Sequence, residues 1–198
     1  MKNKRGKKQN LFSENYRLCF DFLKRSKRHI LFSVVAFLLF AIIGFVFPIF
    51  FREEIIELLT QLAEKIAGMG GFELTSFIFL NNIQASFFAV ILGVLAGLYP
   101  LFTLITNAYL IGFVVNGAVM EGGISVLWRL LPHGIFELPA IIISISLGLK
   151  IGLNIFKRPM WKSMKEDIAE SMRCFLFVIL PLLIIAAVIE GILVFYLM

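Results

Sequence analysis

At 198 residues, 60% of them hydrophobic and 16% charged, with a mean hydropathy of +0.92, the chain is too apolar for a soluble globular domain, in which about 25% of residues are charged. None of its long apolar stretches alternates, which excludes an outer-membrane barrel. The class that remains is all-α, a polytopic transmembrane helical bundle. Its charge of +6 is unevenly spread: residues 1–28 hold ten Lys and Arg against Glu14 and Asp21, residues 52–75 are net −3, and residues 150–173 are net +3.

Basic loops stay cytoplasmic, so the N-terminus and residues 150–173 are expected inside and residues 52–75 outside, in a multi-pass protein of the cell membrane. The basic tail abuts a span, so its expected partner is the lipid bilayer and its anionic headgroups, with no nucleic acid. Cys19 and Cys174 both fall on the cytoplasmic face, where a structural disulfide is not expected. A cleavable signal is not expected either, because the apolar run 30–51 is about twice the length of a signal core.

In chain order, residues 1–28 read as a basic tail followed by an interfacial elbow helix, and 29–198 as the transmembrane domain. The elbow carries Phe12, Tyr16, Cys19, Phe20 and Leu23 at helical spacing, with basic residues between them. The first span is Ile30–Phe51, bent by Pro48. Glu53–Ile66 has one apolar and one acidic face and is expected to lie on the outer surface as an amphipathic helix. Residues 72–119 are too long for one crossing and split into two spans, Thr75–Leu98 and Leu101–Met120, turning near Gly97–Pro100. The fourth span is Pro132–Phe156, with Pro132 at its first helical position. The fifth is Cys174–Tyr196, which puts the C-terminus outside.

The fourth span holds the chemistry. Arg129, His133 and Glu137 form one stripe, and nearly the same face continues through Ala140, Ser144, Gly148 and Gly152. Small residues there let another backbone approach, as do Ala89, Gly93 and Gly97 on the second span. The polar stripe is therefore expected to face protein, leaving Ile135, Leu138 and Ile142 to lipid. Ionisable groups at bilayer depth are costly and mark function by default. With Asn81, Asn82, Gln84, Asn107 and Asn116 on neighbouring spans, they predict an interior polar cluster of Asn82, Asn107, Asn116, His133 and Glu137 in the outer half of the bundle.

Three roles stay open for that cluster. It can specify helix packing, or hold a divalent transition metal through His133 and Glu137, which needs further ligands. Or it can carry protons or a substrate, with Glu137 titrating. No paired-histidine zinc motif, serine elbow or phosphate-binding loop is present, so the sequence offers no catalytic residues. Glu190 is expected to reach the interface, with Arg129 as a possible contact. The glycine-lined faces point to a homodimer.

The residues Asn81–Asn82, the series Gly93, Gly97, Pro100 and Asn107, and above all Pro132-His133-Gly134-Ile135-Phe136-Glu137-Leu138-Pro139-Ala140 resemble the stage II sporulation protein M family of integral membrane proteins. Asn107 is followed by Ala108 where the family pattern has Asn-Gly. The resemblance implies a non-enzymatic membrane scaffold or a permease-like subunit. Its implied partners are other membrane proteins, wall-remodelling proteins or an ATPase subunit. A metal-dependent membrane enzyme or a proton- or ion-coupled transporter using His133 and Glu137 is the alternative.

Overall fold

The computed structural model describes residues 11–197. The side chains of Leu11, of 126–133 and of 194–197 lie outside that description. Among the described residues there are helices and turns but no strand, and five helical stretches are long and apolar enough to cross a membrane.

Helix α1 (Leu11–Arg25) joins α2 (Lys27–Val46) at Ser26, whose N–H and hydroxyl both bond the carbonyl of Phe22. Only part of α1 is free to meet lipid. Phe12 and Phe20 are exposed, but Cys19 and Phe22 are fully buried against the last third of the chain. Helix α2 stops at Val46 instead of bending through to Phe51. Phe47 precedes Pro48 and is driven out of the helical region, at φ −122° and ψ 66°. The carbonyls freed by this ending are taken up by α5 (Leu98–Gly122). Asn116 Nδ2 donates to Phe45 O at 2.9 Å, and the single proton of Tyr109 Oη is shared between Phe47 O at 2.7 Å and Phe50 O at 2.9 Å. The two helices cross closely, because a Cβ on Gly44 or Gly112 would strike the backbone of Tyr109 or Ala41.

Helix α3 (Arg52–Ile66) has no buried residue, and Ile56, Leu58 and Leu62 lie open along it. Helix α4 (Gly71–Ile91) runs through a 3-10 turn, Leu92–Val94, to a reversal at Ala96 and Gly97. Their φ angles are 55° and 75°, and the left-handed region favours glycine at the second position. Helix α5 then starts at Leu98, so the apolar stretch does divide in two where its Gly and Pro residues fall.

Helix α6 (Leu127–Gly152) is the hub and packs on α2, α4, α5 and the last helix. It begins five residues before Pro132, which therefore sits inside it and not at its first position. After a 3-10 turn, Leu153–Phe156, comes α7 (Met160–Cys174). Helix α7 does not end before the last span. A π-turn, Phe175–Ile179, carries it straight into α8 (Leu180–Leu197). The charged stretch expected as a loop is thus largely the lower part of one long helix. Cys174 Sγ donates to the carbonyl of Cys19 at 3.8 Å, docking α1 at this π-turn.

Candidate functional site

At the centre of the bundle α6 meets the end of α4 and the turn before α5 with no side chain between them. A Cβ on Gly93 would strike Gly148, and one on Gly152 would strike Gly97 and Ala96. Gly148 in turn lies against the carbonyl of Ala89, and Ser144, one turn away, is fully buried with its hydroxyl on Ala140 O at 2.8 Å. The small-residue faces of α4 and α6 thus meet each other within one chain. A homodimer built on them would compete with this packing.

Where the small residues end, the helices part around a slot of about 230 Å³ between α2, α4, α5 and α6. Its polar lining is Asn81, Asn82, Thr103, Asn107 and Glu137, and Phe37, Ile111 and Ile141 are among the residues that close it. These positions fall near the middle of α4 and α6. Leu138 lines it as well and does not face lipid as expected, whereas Ile135 is exposed.

Asn107 donates one amide N–H to Thr103 O at 2.8 Å, and its Oδ1 is an acceptor. Glu137 is the one ionisable side chain among the described residues lining the slot, giving it a carboxyl group with carboxamide and hydroxyl neighbours. Asn82 and Glu137 also line a much narrower cleft toward α8, where Glu190 joins them. Glu190 therefore flanks the Glu137 region from the other side.

The structure thus brings Asn82, Asn107 and Glu137 together and leaves Asn116 apart, as a cap on α2. Gln84 is exposed. The side chains of His133 and Arg129 lie outside the described residues. Among those described, no three His, Cys, Asp or Glu residues gather as metal ligands. The oxygen donors of the slot suit a hard cation better than a soft transition metal.

A second polar centre escaped the sequence reading. Lys150 is buried near the end of α6, with Nζ 3.2 Å from Asp167 Oδ1, 3.1 Å from Ser26 Oγ and 3.5 Å from the centre of the Phe22 ring. Asn154 Nδ2 donates to Asp167 Oδ2 at 2.9 Å, and Lys157 Nζ lies 3.7 Å from the same oxygen. The available signal was Lys150 itself, a cation one turn before the end of an apolar run. A snorkelling reading explains such a lysine equally well until α1 and α7 are known to cover it.

Comparison with known proteins agrees with this architecture. The model of the family described as stage II sporulation protein M matches residues 33–194. An uncharacterized protein of Methanocaldococcus jannaschii is 32% identical over 120 residues, covering 58% of this chain and 52% of that protein. The matched segment thus spans about half of that relative's length. No solved structure matches the chain. Because the family match takes in four of the five apolar stretches whole, most of the first, the slot and most of the cluster around Lys150, the chain belongs to the stage II sporulation protein M family of membrane proteins.

Proposed function

We propose that this protein is a permease-like membrane subunit that admits a small polar or cationic species to the slot around Glu137. The observation behind this reading is the slot itself: acceptor groups from α4 and α5 and one carboxylate from α6 converge at mid-depth in an apolar bundle. A bundle that only anchors other proteins gains nothing from such a cavity. Carboxamide, hydroxyl and carboxyl groups gathered there offer a polar species a surface that lipid does not. Mid-depth is also where transporters place their substrate sites.

Partners belong to the same proposal. Helices α1 and α7 share one end of the molecule, the basic one, and offer the surface on which an ATPase subunit or another membrane protein would act. The N-terminus is taken to be cytoplasmic on the strength of that charge. A homodimer would form through lipid-facing surfaces, since the glycine faces are occupied.

The test is efflux of ammonium, alkylammonium and alkali cations from proteoliposomes carrying the full chain. Flux of at least one cation that falls in Glu137→Gln supports the reading. Flux indistinguishable from empty liposomes for the whole series, with no stabilisation of the protein by any of these cations, overturns it.

A further inference from the structure

Toward the basic end the slot gives way to a buried apolar layer that includes Leu104, Ile145 and Leu149, and beyond that layer the bundle is held by two unlike kinds of contact. On one side, α6 meets α4 and the turn before α5 through Gly93, Gly97, Gly148 and Gly152, backbone against backbone. No side chain there can swing aside, and movement would separate whole helices. On the other side, α6 meets the α1–α2 joint and α7 through the long side chain of Lys150, held by Ser26, Phe22 and Asp167. These contacts are polar and lie near water, and Asp167 already has a second cation in Lys157. Separation on this side breaks an ion pair without leaving Asp167 alone.

An independent feature marks the same side. Helix α2 carries Ser33 one turn from Phe37, which lines the slot, and His29 one turn further toward Ser26. Ser33 Oγ and His29 Nδ1 are buried with no hydrogen-bond partner among the described residues, as is Asn154 Oδ1 beside Asp167. Buried polar groups in native proteins are nearly always paired, with water where protein does not serve. Ser33 and His29 lie along α2 between the slot and Ser26, with Asn154 just beyond Lys150, and they fit a passage that water enters when the ion pair opens; Ser86 on α4 and Ser171 on α7 carry the other buried hydroxyls without a partner among the described residues.

We infer that Lys150 and Asp167 form the closed inner gate of the slot, and that the α1–α2 joint and α7 move away from α6 to open it. The inference rests on the slot reading given above. An ion pair suits a gate because it closes firmly when desolvated and loses little once both charges reach water. Lys150 and Asp167 are gating residues, with no contact to the bound species.

The gate is tested by accessibility, without any ligand. Thr103→Cys, in a background of Cys19→Ala and Cys174→Ala, places a reporter in the slot of the full chain in sealed vesicles. It is labelled in parallel with membrane-impermeant cationic and anionic methanethiosulfonates from the side that carries the N-terminus, since a change of local charge moves the two rates in opposite directions and opening raises both. With Lys150 and Asp167 intact, labelling is slow. Asp167→Ala leaves a buried cation that draws water, so labelling by both reagents is expected at least about tenfold faster. Lys150→Met combined with Asp167→Leu restores an apolar seal and returns the rate to the slow value. Where Asp167→Ala fails to reach the membrane, Asp167→Asn keeps the side-chain shape and takes its place in the same comparison. Equal rates in the intact, single and double variants, or rates for the two reagents that move in opposite directions, overturn the gate. Because cation flux plays no part in this readout, a gate that fails here is distinguishable from a slot that binds nothing.

Discussion

Gly148 and Ala89 meet with no side chain between them: a methyl group on Gly148 would fall on the carbonyl oxygen of Ala89. The α4–α6 contact is therefore set by backbone distance, and any side chain there must push the helices apart. Gly148→Ala is expected to cost about 1–3 kcal/mol, the range for overpacking a filled interior. Gly148→Leu is expected to prevent a stable fold in detergent. Gly117 in α5 has nothing within 4 Å of an added Cβ, so Gly117→Ala should be neutral or slightly stabilising. Thermal unfolding of the three variants by intrinsic fluorescence checks the contrast.

The small-residue series on α4 and α6 was legible because spacing alone puts Ala89, Gly93, Ser144 and Gly148 on single faces. The partner of each face was not legible. A close-packing surface serves one chain or two equally well, and only the reversal at Gly97 brings these two together. The division of residues 72–119 could be read from Gly97 and Pro100, because backbone punctuation acts locally. The helical continuity from α7 into α8 could not. The charges of α7 read as a loop, and a π-turn leaves no composition signal.

The asparagines of the expected cluster differ for a related reason. A carboxamide in a span needs a partner, but its sequence position does not say which carbonyl or cavity supplies one. Asn116 serves Phe45, and Tyr109 serves Phe47 and Phe50. Tyr109→Phe and Asn116→Ala are each expected to lower stability by about 1 kcal/mol, the usual net worth of a hydrogen bond. Neither should alter labelling or ligand response at the slot. Asn82→Ala and Asn107→Ala should alter the slot response instead. Parallel unfolding and slot-labelling measurements on the four variants separate the two groups.

The ion pair at the basic end makes a stability prediction of its own. Its side chains are 10% and 14% exposed. Removing one partner strands the other, so Asp167→Ala should destabilise by about 3–5 kcal/mol. Replacing both, as Lys150→Met with Asp167→Leu, should recover most of that loss. Chemical denaturation of the two variants beside the parent checks this. A double variant no more stable than the single one would show that the charges are not acting on each other.

The cysteines report on the docking of α1. Cys19 is fully buried, and burial pushes its thiol above the ordinary 9.0. The folded state therefore favours the protonated thiol. This contribution to stability is complete below pH 9.0 and fades as pH climbs toward the raised value. A maleimide at neutral pH should leave both Cys19 and Cys174 unmodified in native membranes and modify both after denaturation, as read by intact mass. Prompt modification of Cys19 in native membranes would mean that α1 is not docked on the π-turn.

The central claim is that water reaches a slot at mid-depth whose charge is set by Glu137. Asn107→Cys, labelled in native membranes with cationic and neutral methanethiosulfonates of similar size, tests it most directly. The account predicts faster labelling by the cation, a preference that vanishes when Glu137→Gln is added. No labelling by either reagent, or a cation preference unchanged by Glu137→Gln, would contradict it.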